Sequence, residues 1–475
     1  MKTKLIALIT GLAAVAIGAL LAGAQERRPD FKGDIKDVRG LPAIAIPDFR
    51  GAGQAQALMN GFNATLWDDL QNSGRLKMVA KTVYPLDIPQ QPTDFKPPTI
   101  APPLKRGEPQ RTVRNGPWLS DWVGPPVNSN YLAFGYTAVQ DGRLVLAGWL
   151  FNVTQPDVTS AQVLGRRYFG SLDADGAKKV AREFAADILQ QFGAISLSGT
   201  KIYFVSDRSG FKEIWSMDYD GSNQKPFTNY KSTTSMPAIS ADARMLAFST
   251  YLKRPGENLA LPQVVVHSTE TGRRMQFYNP VAPTNATPEF TPDGKHILFA
   301  SSLGEIPMQI FMADTNGGNL QRISHVNAIE VSPKVNPKSG NEIVFISSAA
   351  GTEQLWRMNI NGVDRERLTP GDGYVANPAW SPDGTKVAFC WTRGFAPGNY
   401  NIFIMDVISK ELVQLTHGAG RNENPTWAPD GVHLVFCSRR SGTDQIYTML
   451  ANGENVQRLT TTGNNTQPVW AKAIN

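Results

Sequence analysis

A strand pattern recurs six times in the second half of the chain, and it constrains the fold more than any other feature of the sequence. Each unit opens with a short apolar run that ends in phenylalanine, and successive phenylalanines lie 44, 51, 46, 44 and 47 residues apart. A second strand then opens with a polar residue, and a proline-led strand closes the unit. Four short strands per repeat of about 45 residues are typical of a β-propeller blade. The six units therefore predict an all-β six-bladed propeller over residues 200–475.

The phase of the repeat predicts how the ring closes. The first unit begins at Ile202 with no proline-led strand before it. The last unit ends at Pro468-Val469-Trp470 with no phenylalanine strand after it. We therefore expect the C-terminal strand to become the innermost strand of the first blade, which removes exposed sheet edges.

Two recurrent polar positions in the repeat have structural explanations. In the Ser-Pro-Asp-Gly turn and its variants, proline presets φ, aspartate bonds the turn backbone and glycine takes positive φ. These aspartates, Asp293, Asp383 and Asp430, are thus expected in turns rather than at a metal. The polar residues that open the second strands are expected to bond backbone between blades; they are Glu213, Gln263, Gln309, Gln354, Asn401 and Gln445.

The first half of the chain predicts a separate small α/β domain at residues 41–195. Strand patterns cover residues 41–49, 77–79, 131–139, 144–154 and 162–170, and helical stripes cover 54–72 and 175–192. Nine prolines between Pro85 and Pro117 predict an extended surface insertion of polyproline character at about 85–127.

The N-terminal 24 residues have the layout of an export signal. Lys2 and Lys4 precede an apolar run at residues 5–21, and Ala22-Gly23-Ala24 forms a small-x-small cleavage site. A retained anchor is the alternative, but the run is short for a membrane span. The pattern predicts a mature periplasmic chain from near Gln25, with no membrane span after signal cleavage.

Charge and cysteine content narrow the function classes. The net charge of +6 falls to +4 without the first 24 residues, and no basic stripe interleaves with aromatics, so no nucleic-acid partner is expected. Cys390 and Cys437 each follow the phenylalanine of the repeat, in a strand expected to lie next to the innermost one and about 11 Å from the ring axis. Equivalent positions in neighbouring units are then too far apart for a disulfide. We predict two free, mostly buried thiols.

Catalytic motifs are missing from the sequence. The patterns G-x-S-x-G, H-E-x-x-H and GxxxxGK[ST] do not occur, which favours a binding scaffold over an enzyme and implies no cofactor. A channel-bound cation such as calcium stays open, with no ligand set to name. The alternative function is binding or cleavage of a small saccharide or peptide in the central channel. Charged inner-strand positions would favour that alternative, whereas Pro-Ala-Trp, Pro-Thr-Trp and Pro-Val-Trp are core-like.

The combination of these features resembles the TolB family, the periplasmic components of the Tol–Pal system. The similar stretches include "AIAIPDF" and "LWDDLQNSGRL" in the N-terminal domain and "GRNENPTWAPDG" and "YVANPAWSPDG" in the propeller. The proline-rich insertion departs from the family, which usually crosses this region in a shorter loop. The resemblance implies a non-enzymatic role in keeping the outer membrane intact and drawing it inward at cell division.

The resemblance also implies two partners and their sites. The peptidoglycan-associated lipoprotein docks at the family's propeller mouth, on rim loops one or two positions before the inner-strand prolines. The matching positions here are Met236, Ala286, Thr287, Ala376, Asn377, Glu423, Asn424, Thr466 and Gln467. One unit departs, with Glu330-Val331-Ser332 before Pro333. The N-terminal tail, residues 25–40 here, engages the inner-membrane protein TolA, and its charged composition predicts mobility.

Overall fold

The computed structural model describes residues 40–96, 99–102, 110–254, 256, 258–304, 307–418 and 420–474. The predicted signal peptide and all of the predicted tail except Gly40 therefore lie outside the described residues. None of the helices within these ranges is both long and apolar enough to cross a membrane.

The N-terminal part is built on a mixed sheet with the strand order β3-β1-β6-β7-β8, in which β2 also pairs with β6. A separate two-stranded hairpin, β4–β5, lies in the insertion. The strands are β1 (Ala43–Ala45), β2 (Arg50–Gly51), β3 (Lys77–Met78), β4 (Thr99–Ala101), β5 (Arg111–Val113), β6 (Tyr131–Gln140), β7 (Arg143–Asn152) and β8 (Gln162–Ser171). The helices are α1 (Met59–Asn72), α2 (Ser120–Val123), α3 (Val158–Ala161) and α4 (Ala174–Gln191).

Helices α1 and α4 cover one face of this sheet, and their predicted apolar stripes are buried. Phe62 and Leu66 of α1 and Phe184 of α4 are fully buried in one core. The Asp173 carboxylate begins α4 by accepting a hydrogen bond from the Gly176 N–H at 2.7 Å. The strand predicted at residues 41–49 is shorter in the structure, since Pro47 has no N–H to donate to a ladder.

The proline-rich insertion covers the other face of the sheet, which differs from the extended surface segment that its prolines predict. Besides β4, β5 and α2, it contains a 3-10 turn at Pro92–Asp94. Phe95 and Trp122 are 6% and 0% exposed, and they pack with Phe134 and Phe151 of the sheet. Because β6 and β7 carry apolar side chains on both faces, the insertion packs on the face opposite the helices and forms a second hydrophobic core with it.

Six four-stranded antiparallel sheets follow and form the predicted six-bladed propeller. From the innermost strand outward, blade 1 contains β32 (Asn465–Ala471), β9 (Lys201–Ser206), β10 (Glu213–Asp218) and β11 (Lys225–Pro226). Blade 2 contains β12 (Thr234–Ile239), β13 (Met245–Lys253), β14 (Ala260–Ser268) and β15 (Arg274–Met275), and blade 3 contains β16 (Asn285–Phe290), β17 (His296–Ser301), β18 (Gln309–Asp314) and β19 (Gln321–Arg322).

The remaining three blades repeat this order. Blade 4 contains β20 (Glu330–Val335), β21 (Glu342–Ala350), β22 (Thr352–Asn359) and β23 (Glu366–Arg367). Blade 5 contains β24 (Val375–Trp380), β25 (Lys386–Trp391), β26 (Asn401–Asp406) and β27 (Leu412–Gln414). Blade 6 contains β28 (Asn422–Trp427), β29 (His433–Ser438), β30 (Gln445–Leu450) and β31 (Gln457–Arg458).

Ring closure occurs as the repeat predicts. The C-terminal strand β32 pairs antiparallel with β9, with Asn465 opposite Ser206 and Trp470 opposite Ile202. The six repeat phenylalanines are fully buried, each in the strand next to the innermost strand of its blade. Burying one such side chain contributes about 1.5–3 kcal/mol, so this one position adds stability in every blade.

Four of the six strand-opening polar residues bond backbone that leads into the next blade, as predicted: Glu213, Gln309, Gln354 and Gln445. Gln263 instead donates to the Leu252 carbonyl of its own blade, and Asn401 accepts from the Asn422 side chain. Gln445 donates to the Gly463 carbonyl at 2.7 Å and accepts from the Asn465 side chain of the next blade at 2.9 Å. The Asp383 carboxylate accepts from the Thr385 N–H of its own turn at 3.1 Å. Cys390 and Cys437 are free and buried, which confirms the prediction for both thiols.

Candidate functional site

Each of the six inner strands contains a β-bulge at the residue before its proline. In β28, for example, the register shifts between Glu423 and Thr426. The residue before proline adopts left-handed backbone in all six strands, with φ between 50° and 56°. These residues, which we call the inner ring, are Met236, Thr287, Ser332, Asn377, Asn424 and Gln467. Asparagine tolerates this conformation, whereas a β-branched residue is strained in it.

The inner ring and the prolines that follow it surround a cavity of about 100 Å³ where the six inner strands converge. Side chains of the ring connect neighbouring blades. The Gln467 amide oxygen accepts from the Met236 N–H at 2.7 Å, and the Thr287 hydroxyl accepts from the Ser332 N–H at 3.2 Å. The bulges thus expose polar groups at the centre of the propeller and anchor them in rigid strands.

The structure brings together five of the nine positions predicted for lipoprotein docking. They are the inner-ring residues Met236, Thr287, Asn377, Asn424 and Gln467. Ser332 completes the ring although its unit departs from the sequence pattern. The other four positions do not line the cavity, and their backbones pair with the neighbouring strand of their blade: Ala286, Ala376, Glu423 and Thr466. All nine lie within strands rather than on the rim loops that the resemblance implies.

Beside the ring, Glu423 belongs to an ionic cluster in blade 6. Arg421 contacts the Glu423 carboxylate at 3.2 Å and the Asp444 carboxylate at 3.0 Å, and Arg439 contacts Asp444 at 3.0 Å. Burial raises the pKa of Glu423, and the Arg421 charge opposes that rise. The arginines hold both carboxylates in place next to Asn424.

A buried ion pair also lines the channel. The Lys334 ammonium of blade 4 lies 2.5 Å from the Glu289 carboxylate of blade 3, and both side chains are mostly buried. Burial raises the pKa of Glu289, and the Lys334 charge opposes that rise. The core-like sequences Pro-Ala-Trp, Pro-Thr-Trp and Pro-Val-Trp belong to blades 5, 6 and 1, whereas the inner strands of blades 3 and 4 carry this charged pair. Opposite charges directly after the prolines of adjacent units are the sequence signal that would have revealed the pair.

A second cavity, of about 370 Å³, lies where the N-terminal part meets blades 1 and 6. The Tyr219 hydroxyl donates to the Asp69 carboxylate at 2.5 Å. His433 Nε2 contacts the Asn72 carbonyl oxygen at 2.7 Å, and Arg182 forms an ion pair with Asp220. Sequence reasoning missed this junction because its contacting residues lie as far as 385 positions apart in the chain, the separation of Asn72 and Gln457.

Burial shapes the electrostatics of this junction. It raises the pKa of Asp69 to about 6, although the Tyr219 hydrogen bond and the Arg182 charge favour the carboxylate. For His433, burial disfavours the charged ring, but the Asp430 carboxylate at 2.6 Å and the Asn72 carbonyl outweigh it and raise the pKa. Asp69 therefore changes charge near pH 6, and His433 keeps its proton to a higher pH than an ordinary histidine.

Within the part of the chain that the structure describes, no three histidine, cysteine or acidic side chains are arranged to hold a metal ion. The inner ring offers neutral side-chain and backbone groups, and the one charged pair in the channel is internally neutralised. Such an arrangement can bind a polar segment by hydrogen bonds and shape.

Comparison with known proteins agrees with this architecture. The TolB β-propeller domain model matches residues 193–394 and 365–473. A protein named as a TolB homolog from Chlorobium luteolum is 30% identical over 314 residues, which is 65% of this chain and 56% of the relative. A Tol-Pal system protein TolB from Desulfosudis oleivorans is 30% identical over 221 residues, or 45% of this chain and 47% of the relative.

The chain thus spans about half the length of the curated relatives it matches. The crystal structure of TolB from Acinetobacter baumannii superposes with a TM-score of 0.69 and 21% identity, covering 91% of this chain and 96% of that one, and shares its fold. Because the family model spans more than half of the sequence, we conclude that the chain belongs to the TolB β-propeller family.

Proposed function

We propose that this chain is the TolB component of a Tol–Pal system. It acts as a periplasmic, non-enzymatic scaffold that supports outer-membrane integrity and the inward movement of that membrane at cell division. Family membership and the names of the curated relatives support this assignment. The peptidoglycan-associated lipoprotein and TolA are the proposed partners.

The inner ring is the observation that carries the proposal. It collects five of the docking positions implied by the resemblance around one cavity, and Met236 is 40% exposed there. A protein loop inserted into this ring would meet oriented amides and hydroxyls on rigid strands. We propose that the lipoprotein docks on the inner ring, while Ala286, Ala376, Glu423 and Thr466 support it from the preceding positions.

The tail at residues 25–40 is the proposed TolA site. Its charged, apolar-poor composition suits a segment that orders on binding. A chain lacking residues 25–37 should lose TolA binding and keep lipoprotein binding. Unchanged TolA binding by this deletion would contradict the assignment.

Calorimetric titration tests the docking proposal directly. The mature chain from Gln25 is titrated with the periplasmic domain of the lipoprotein from the same organism, and a Glu423→Ala/Asn424→Ala variant is compared. Asn223→Ala is the matched control, because Asn223 has φ of 53° in an outer turn and Asn424 has φ of 54° in the ring. We expect micromolar or tighter binding that the double substitution weakens and the control does not.

The Glu289–Lys334 pair favours a second candidate function, binding of a small saccharide or peptide in the channel. A neutral but polar wall of this kind can bond hydroxyl or amide groups. A folded chain that fails to bind the lipoprotein would shift the assignment to this candidate. A saccharide and peptide screen, repeated with Glu289→Gln, would then identify the ligand.

A further inference from the structure

Strand β8 forms one edge of the N-terminal sheet, and no other strand of the described residues pairs with its outer side. The Phe169 carbonyl oxygen points outward, where Lys179 Nζ reaches it at 3.5 Å. In an antiparallel strand the N–H and C=O of one residue point to the same side, and this side alternates along the chain. Residues 165, 167 and 169 therefore present ladder groups to an additional strand.

The sheet face next to this edge carries a cross-strand row with an arginine at each end. Arg50 of β2, Tyr136 of β6, Ala147 of β7 and Arg167 of β8 are successive register partners, so their side chains point to the same face. We define the open face as the residues Arg50, Tyr136, Arg143, Trp149, Arg167 and Phe169, which lie on this row or within two rows of it on the same face.

Aromatic side chains occupy the middle of the open face. Trp149 packs near Tyr136, with ring centroids 6.2 Å apart, and its ring lies over Gly165 of the edge strand. Phe169 is 41% exposed. The proline-rich insertion covers Phe134 on the same side of the sheet, and Trp149 packs against this core while remaining partly exposed, as Tyr136 does.

Charge gives the open face its selectivity. Strands β6, β7 and β8 contain three arginines and no acidic residue. Arg166 points to the helix side and pairs with Asp187 at 2.9 Å. Among the described residues, no carboxylate forms an ion pair with Arg50, Arg143 or Arg167. The face is therefore cationic, and an acidic partner would complement its charge.

We propose that the β8 edge and the open face bind an extended acidic segment of a partner protein as an added strand. An acidic residue of that segment would lie opposite Arg167, and an apolar residue two positions away would lie opposite Phe169. The outward ladder groups, of which the Phe169 carbonyl would have to exchange its Lys179 contact, favour a polypeptide over an anionic glycan, which has no matching N–H and C=O series. This surface is separate from the inner ring and goes beyond the proposed function.

A designed peptide tests the proposal on the mature chain. The probe is a fluorescein-labelled Glu-Thr-Leu-Thr-Glu-Thr-Leu-Thr-Glu peptide, which places Glu and Leu alternately on one face of a strand. Fluorescence anisotropy should show about tenfold tighter binding than for the same peptide with Lys in place of Glu. Arg167→Gln should weaken binding about threefold or more, because it removes the facing charge.

Matched controls separate this mode from simple charge attraction. Arg166→Gln changes the neighbouring residue on the opposite face and should leave peptide binding unchanged. N-methylation of the peptide amides that face β8 should abolish binding. Absence of binding, equal binding of the Glu and Lys peptides, or equal effects of Arg166→Gln and Arg167→Gln would overturn the proposal. Full binding of the N-methylated peptide, together with displacement by dextran sulfate, would show a general polyanion site instead.

Discussion

The Tyr219 hydroxyl of blade 1 donates a 2.5 Å hydrogen bond to the Asp69 carboxylate of α1, across 150 residues of sequence. It connects the helix that covers the N-terminal sheet to the turn between β10 and β11 of blade 1. Beside it, Arg182 of α4 pairs with Asp220 of the same turn. The two parts of the chain are thus joined by polar contacts whose strength depends on pH.

Asp69 should make the stability of the protein fall as pH rises through about 4 to 6. Its pKa is about 6 in the folded chain against an ordinary 3.8, so the folded state binds more protons in that window. Relative to Asp69→Asn, which stays neutral, the free energy of unfolding should fall by about 2–3 kcal/mol between pH 4 and 7. Urea unfolding at several pH values measures this, and Asp141→Asn in an exposed hairpin turn is the control. A constant difference between wild type and Asp69→Asn would contradict it.

His433 should contribute most to stability at low pH. Its folded pKa is raised, so the contribution is fully present below about pH 6.5 and is lost as pH rises through the folded value. When protonated, the ring donates to both Asp430 and Asn72, whereas the neutral ring has only one N–H. His433→Gln should cost about 1–3 kcal/mol near pH 5.5 and less near pH 9. Thermal unfolding of this variant beside His325→Gln, an exposed histidine, checks the trend, and a cost that grows with pH would refute it.

Thr287→Asn should stabilise the propeller. Threonine is β-branched and is strained at its φ of 52°, whereas asparagine is the residue found at Asn377 and Asn424 of the same ring. The asparagine carbonyl can also replace the Thr287 hydroxyl as acceptor for the Ser332 N–H. We expect a gain of about 1 kcal/mol in the free energy of unfolding. Thr287→Val, which keeps the branching and loses the acceptor, should instead destabilise; equal stability of the two variants would disprove the strain argument.

Removing Lys334 alone should destabilise the protein more than removing the whole channel pair. Lys334→Met leaves the Glu289 carboxylate buried without its partner, at a cost of about 3–5 kcal/mol. The double variant Lys334→Met/Glu289→Leu should recover most of this loss, because no unpaired charge remains. Chemical unfolding of the wild type, both single variants and the double variant forms the cycle. A double variant as unstable as the sum of the single variants would mean that the pair is not coupled.

The sequence predicts the propeller well because a repeat is a local pattern that is read six times. The phenylalanine strands, the prolines and the phase of the units predict six blades and their closure by β32. The structure confirms both the number of blades and the closure. The apolar stripes of α1 and α4 and the two free cysteines follow from the same kind of reasoning.

The sequence predicts only some of the residues that form the candidate site. Proline marks where each inner strand bends, which is why five of the nine predicted positions fall on the inner ring. Ala286, Ala376, Glu423 and Thr466, one position earlier, pair with the neighbouring strand and lie outside the cavity lining. The bulge shifts the register by one residue, and no local pattern of residue types distinguishes the two sides of that shift.

Only the tertiary structure decided the contacts between residues that are distant in sequence. By itself the sequence determined the blades, their order and their hydrophobic faces, because these depend on short periods of 2 to 4 residues and on turn chemistry. It could not determine that Asp69 meets Tyr219, that Glu289 meets Lys334, or that a proline-rich segment buries Trp122. Such pairs depend on how blades, helices and insertion pack, and packing is a property of the whole chain.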